Sequence, residues 1–208
     1  DMIRRYAEDH CVKWVSEPDE NNVEATEKGL KMATGDFVVI IPSDDLIFPW
    51  TVSTVVDYFR AHPEVDVVHG DSVAWVTETD FWHLRLHKRF TFGFHARTQI
   101  VVPQATYIRR HVLSGKQLDR SLLHANDYDL MLRVTQDAKV VNIPEFLAIF
   151  RKRPGAINLS ASAEALLPRE IDIVRSRYIR TSGLMHWLLV HWDRYYGAAH
   201  RRLQLMRM

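Results

Sequence analysis

One cysteine in 208 residues, Cys11, rules out an internal disulfide framework and fits a reducing compartment, so the cytoplasm is the expected setting. No apolar run approaches the ~20 residues that a bilayer-spanning helix needs, and no secretory leader pattern is present. Net charge is also scarce, with 27 Lys and Arg against 26 Asp and Glu. That balance hides an uneven distribution: residues 151–208 hold 11 basic and 4 acidic side chains, and residues 1–150 hold 16 and 22. An acidic surplus over most of the chain opposes a phosphate-backbone track, and no recognition motif is present, so nucleic acid is not expected as a partner. His83 and His87 lack the Glu of a His-Glu-x-x-His zinc motif, and Cys11 has no surrounding pattern of a nucleophile. The chain contains no internal repeat.

What is present alternates. Asp1 to Asp9 reads as an amphipathic helix with Ile3, Tyr6 and Ala7 on one face, and Cys11 to Val15 reads as a short strand. Asn22 caps a predicted helix from Val23 to Thr34, with Gly35 in the left-handed terminal position. Val52, Val55, Val56 and Phe59 recur at helical spacing before the stop at Pro63. Val65 to His69 reads as a strand ending at Gly70-Asp71. Residues 72–100 interleave Trp75, Phe81, Trp82, Phe90, Phe92 and Phe94 with basic side chains and show no helical period, as strands or an excursion along a groove would. Ile100 to Val102 and Ala105 to Ile108 look extended, and Arg109 to Gly115 looks like a short helix. Asn126-Asp127-Tyr128-Asp129 opens another helix, and strands follow at Lys139 to Asn142 and Phe146 to Phe150. Strand and helix joined by short connections argue for an α/β sheet. Beyond Ser160 the pattern is helical, with a break at Thr181-Ser182-Gly183. Its last piece sets Leu184, Trp187, Leu188, Tyr195 and Tyr196 beside Arg194, Arg201 and Arg202. That composition suits either packing on the domain or contact with an anionic membrane surface.

The most informative segment is Phe37-Val38-Val39-Ile40-Ile41-Pro42-Ser43-Asp44-Asp45, an apolar, β-branched run that ends in two carboxylates. The run predicts a strand buried on both faces, as in parallel sheets covered by helices. Ligands of open α/β sheets gather at the carboxyl ends of strands. Two carboxylates there suit Mg²⁺ or Mn²⁺, which take oxygen ligands and share them with phosphates. The competing role is a cap for the next helix, with Pro49 in its first turn.

Several segments in order resemble the family 2 inverting glycosyltransferases, which have the GT-A fold. These are Trp14-Val15-Ser16-Glu17-Pro18-Asp19, Glu27-Lys28-Gly29-Leu30, Ala33-Thr34-Gly35-Asp36 and the metal motif Ile41-Pro42-Ser43-Asp44-Asp45. Further on come Gln104 to Arg110, Asn126-Asp127-Tyr128-Asp129-Leu130, and Ile143-Pro144-Glu145 through Pro154-Gly155. The resemblance covers residues 1–158 and implies a GT-A-like, mostly parallel sheet flanked by helices, with a helical extension over 159–208. It also implies that the family's nucleotide-base-binding strand and acidic loop fall before Asp1. The implied activity moves a sugar from a nucleotide diphosphate sugar, a UDP-sugar foremost, to the hydroxyl of a saccharide or lipid-linked saccharide. Asp44 and Asp45 then hold the divalent cation, Lys28, Asp45 and Arg153 serve the donor, and Asp127 is the base. Three departures bear on this: Pro42 stands where Asp or Asn is common, Glu24 and Glu27 stand where Asp and Asn are usual, and Arg153 replaces a frequent His. Arg can pair with diphosphate oxygens but cannot ligate a metal. The alternative is a homologue without catalysis that keeps only acceptor or partner binding. Asp127 has its own competing role as a helix cap.

Overall fold

The computed structural model describes residues 2–9, 12–86 and 90–179. Cys11, His87, the expected break at residues 181–183 and the aromatic and basic piece that follows lie outside the described residues.

The sheet is organised by β3 (Val67–Val76), a ten-residue strand whose first eight residues are buried. Along one edge it pairs in parallel with β6 (Val140–Lys152), from Val67↔Val140 to Val76↔Lys152. Its other edge is shared in succession by two antiparallel strands, β5 (Thr106–Arg109) against Val67 to His69 and β4 (Phe81–Arg85) against Ser72 to Val76. The two-residue strands β1 (Phe37–Val38) and β2 (Leu46–Ile47) extend the sheet on β5 and on β6.

Alternation along the strands buries both faces. Val68 and Tyr107 point to a core with Val55 and Phe59 of helix α3 (Thr51–Ala61), together with Leu147 and Ala148. Their neighbours Val67 and Ile108 point the other way. There they meet Val23 of α2 (Asn22–Met32) and Leu130, Met131 and Val134 of α5 (Asn126–Thr135). A third cluster joins α5 to α4 (Phe92–Thr98) and α6 (Ala161–Tyr178) through Ala96, Leu122, Ala125, Tyr128, Leu132 and Val174. The opening helix, α1, spans Met2–Asp9.

The α/β class with helices on both faces is as expected, but the mostly parallel sheet is a mixed one. Among the described residues β3–β6 is the one parallel pairing, and the other four are antiparallel. Phe37–Ile41 is not a continuous strand, because β1 ends at Val38. Val39 and Ile40 leave the ladder to pack into the cores on opposite faces. Residues 12–15 form no strand, and Val12, Trp14 and Val15 are exposed. The strand expected to stop at Gly70 runs on to Val76 and turns into β4, and α4 is a helix where no helical period was visible. Asn21, not Asn22, caps α2, its Oδ1 accepting the N–H groups of Val23 and Glu24 at 3.0 and 3.2 Å. Gly35 is not among the residues with positive φ, so it does not close that helix in the left-handed form.

Gly70 marks a constraint on the central pair. Between His69↔Asn142 and Asp71↔Phe146, the three residues Ile143 to Glu145 of β6 oppose Gly70 alone, a bulge that accommodates Pro144. A Cβ at Gly70 would lie 2.5 Å from Leu147 Cγ and 2.6 Å from the Glu145 carbonyl oxygen. Only glycine fits there.

Candidate functional site

The acidic pair is placed by β6. Leu46 and Ile47 of β2 pair with Ile149 and Ala148, which lays the preceding residues along the last turns of the pleat in β6. Asp45 Oδ1 accepts the N–H of Arg151 at 2.9 Å, and the Arg151 guanidinium donates to the Asp44 carbonyl oxygen. Arg153, just past the strand, donates from Nε to Asp44 Oδ2 at 3.2 Å. Behind the pair, Trp50 Nε1 and Thr51 Oγ1 dock the start of α3 on the carbonyls of Phe146 and Leu147. The N-cap of α3 is Trp50, so neither Asp44 nor Asp45 caps that helix. Both lie at the carboxyl end of β6, where α/β sheets collect ligands.

The two carboxylates differ. Asp44 is half-buried and ion-paired to Arg153. Asp45 is 7% exposed, and its Oδ2 has no hydrogen-bond partner. Burial pushes its carboxyl up to about 6, the neighbouring Asp44 charge adds to the rise, and the Arg151 N–H opposes it. Arg85 of β4 stands close enough to Asp45 for their charges to interact, and its guanidinium lies 5.4 Å from the Phe150 ring centre.

A buried carboxylate oxygen without a partner, beside a second carboxylate, is a donor set that fits a hard divalent cation whose other ligands are phosphate oxygens and water. Among the described residues no group of three or more His, Cys, Asp or Glu side chains is gathered for a metal, so protein ligation would be limited to this pair.

Asp127 sits in the first turn of α5, one residue inside the helix, and the N-cap position belongs to Ala125. Its Oδ1 accepts the N–H of Tyr128 at 2.7 Å. The carboxyl is pushed up to about 6 by burial, against the pull of the N–H groups of Tyr128 and of Asp127 itself. A carboxylate with that value is a competent proton acceptor near neutral pH.

Lys28 is engaged elsewhere. Its ammonium contacts Asp19 at 2.7 Å, Glu17 at 2.9 Å and Glu24 at 3.6 Å, and bonds to Asp19 and Glu17 hold its pKa above the ordinary lysine range. Glu27 pairs with Arg120 at 2.6 Å. The structure therefore brings Asp44, Asp45 and Arg153 together and leaves Lys28 in an ion cluster at the start of α2. Sequence reasoning missed Arg151. No local pattern marks it, because its tie to Asp45 follows from the β2–β6 register.

An α/β domain with carboxylates at the end of a central strand is the class that this fold defines. Residues 1–152 match the model of Glycosyl transferase family 2, and the chain belongs to that family. A protein of Sinorhizobium fredii (strain NBRC 101917 / NGR234), y4gI, is 25% identical over 173 residues, covering 78% of this chain and 18% of its own length. Among solved structures, S. aureus TarS superposes with a TM-score of 0.59 at 16% identity, over 74% of this chain and 28% of that one. The TarS 1–349 structure in complex with UDP-GlcNAc gives 0.58 at 18% identity, over 74% and 47%. The chain thus spans less than half the length of each of these proteins. At such identities the structural likeness establishes the fold. Among the described residues no helix is long and apolar enough to cross a membrane.

Proposed function

We propose that this domain transfers a sugar from a nucleotide diphosphate sugar to a saccharide or lipid-linked saccharide hydroxyl, with inversion at the anomeric carbon. The observation that carries the reading is the under-partnered Asp45 carboxylate, gathered with Asp44 and Arg153 at the end of β6 in a family 2 chain. The UDP-GlcNAc complex of TarS supports a UDP-sugar as the donor class.

In the reaction, the acceptor oxygen forms a bond to the anomeric carbon as the bond from that carbon to the diphosphate oxygen breaks. The acceptor proton passes to the Asp127 carboxylate. Arg153 would pair with diphosphate oxygens, where a guanidinium can bind two at once. Asp44 and Asp45 are the residues that would hold Mg²⁺ or Mn²⁺. When bound, the cation supplies Lewis-acid stabilisation of the charge that gathers on the leaving diphosphate.

The test titrates UDP with and without Mn²⁺ and then follows transfer. Asp45→Asn should weaken Mn²⁺-dependent UDP binding, and Asp127→Asn should abolish transfer while sparing that binding. Turnover retained by Asp127→Asn would remove it as the base, and UDP binding indifferent to Mn²⁺ would remove the cation from the site.

A further inference from the structure

Helix α5, which carries Asp127, begins without a cap of its own. Its N-cap residue Ala125 offers no side-chain acceptor to the first turn, and alanine is among the poorest residues there. The backbone leading into the helix is held instead from α6, by Glu170, 45 residues beyond Ala125. Glu170 Oε1 accepts the N–H of Leu123 at 3.0 Å, and its Oε2 accepts those of His124 and Ala125 at 2.8 Å each. Glu170 is buried, so its two oxygens are spent on three consecutive backbone donors directly before Asn126-Asp127.

The other side of Asp127 is fixed as well. Tyr128 is buried and its hydroxyl donates to the Ala96 carbonyl at 2.5 Å. Asp127 therefore hangs between two clamped stretches of backbone. The same face of α6 supplies further ties. Arg177 bridges Asp129 and Asp119 at 2.8 Å each, Arg175 donates to the Arg97 carbonyl, and Val174 packs into the cluster with Tyr128 and Leu132. All of α6 lies beyond the residues that match the family model.

We propose that Glu170 is the positioning residue for Asp127: its carboxylate locks the backbone from Leu123 to Ala125 and so aims the base at the acceptor hydroxyl. This rests on Asp127 being the base. A contact that merely stabilised the approach to α5 would change unfolding and leave turnover alone. Misaiming a catalytic group by about 1 Å costs on the order of a hundredfold in rate.

The experiment compares Glu170→Gln with the unaltered chain. The amide keeps one acceptor oxygen and turns an NH₂ toward backbone donors, which breaks the lock without changing size. Expected are a retained cooperative fold, Mn²⁺–UDP affinity within about twofold, and kcat lower by about a hundredfold. The ¹³C titration midpoint of the Asp127 carboxyl should also fall from about 6 toward the ordinary range. A folded Glu170→Gln with unaltered kcat and unaltered Asp127 midpoint overturns the proposal. Should that variant not fold, Glu170→Asp keeps the anion but pulls it back by one methylene. There, lost kcat with intact UDP binding supports positioning, and full kcat overturns it. Asp127→Asn separates the two ideas. If it remains active, the base assignment is wrong; if it is dead while Glu170→Gln is fully active, only the positioning role is wrong.

Discussion

Replacing Asp45 by Asn should make the protein more stable, by a margin that opens as pH rises from about 4 to about 6 and then stays level. Asp45 is held among protein atoms, with one oxygen on the Arg151 N–H and the other without a partner. Its carboxyl titrates at about 6 in the folded chain, against about 3.9 in an unfolded one. The native state thus binds this proton more tightly than the unfolded state does. Below about pH 4 both states are protonated and the native state keeps the full benefit. As pH rises through about 6 the benefit is lost, because the native state must then bury a charge. A shift of about two units corresponds to about 3 kcal/mol. Asparagine is neutral throughout and keeps an oxygen for the Arg151 N–H, so it imitates the protonated acid. Asp45→Asn and the unaltered protein should therefore have similar stability at pH 4. At pH 7.5 the variant should be ahead by up to about 3 kcal/mol, or roughly 6–12 °C in Tm for a chain of this size. Urea unfolding followed by tryptophan fluorescence, in EDTA and at both pH values, reads the difference. A gap that does not change with pH, or a variant less stable at pH 7.5, would refute the argument that Asp45 is buried against its own charge.

Transfer itself should require a deprotonated Asp127, so kcat/KM should rise with pH up to a limb near 6 and then level off; a limb near 4 would contradict the environment described for this carboxyl. Gly70→Ala should destabilise by about 1–3 kcal/mol in chemical denaturation, since the added methyl meets Leu147 and a backbone oxygen at the bulge. Arg109→Lys should cost about 2 kcal/mol in the same assay, because a lysine cannot donate at once to the carbonyls of Val65 and Phe59 while lying on the Phe37 and Phe59 rings. Arg153→Ala should tighten Mn²⁺ binding in calorimetry by at most about fivefold, the yield of freeing Asp44 from an exposed pair worth ~0–1 kcal/mol; weaker Mn²⁺ binding would show that Arg153 does not compete for Asp44.

Periodicity located the elements that make their own case locally. Val52, Val55, Val56 and Phe59 fall on α3, and the stretch from Asn126 to Val134 falls on α5. The acidic doublet was legible because an apolar run cannot end in two carboxylates without bringing them to an edge of the core. What the run could not state was its pairing. Val39 and Ile40 are apolar because they fill two cores, and hydrophobicity records burial without recording a ladder partner. Helix α4 was invisible for a similar reason. Its seven residues include Gly93, its neighbours are aromatic, and its stability comes from packing on α5 and α6. The Asp44–Arg153 pair spans 109 positions, and Glu170 reaches back 45 to Ala125. Contacts at such separations leave no local pattern, although a Glu set inside the stripe Leu167, Ile171, Val174 and Tyr178 was a signal that its carboxylate is engaged.

Several carboxylates among the described residues are tied down by partners. Glu27 is matched by Arg120, Asp129 by Arg133 and Arg177, and Glu170 by three backbone N–H groups. Each of these fixes one element to another, and each has the partners that burying a charge requires. Asp45 and Asp127 are different. Asp45 has one N–H for two oxygens and Asp127 is answered by its own helix turn, and these are the two carboxyls that burial pushes up to about 6. A protein selected for stability alone would neutralise such groups, as Arg177 does for Asp129. Asp45 is the one left with an oxygen short of a partner, which the proposed cation with its phosphates would supply, and the proposed role of Asp127 as a base would bring it the proton of a hydroxyl.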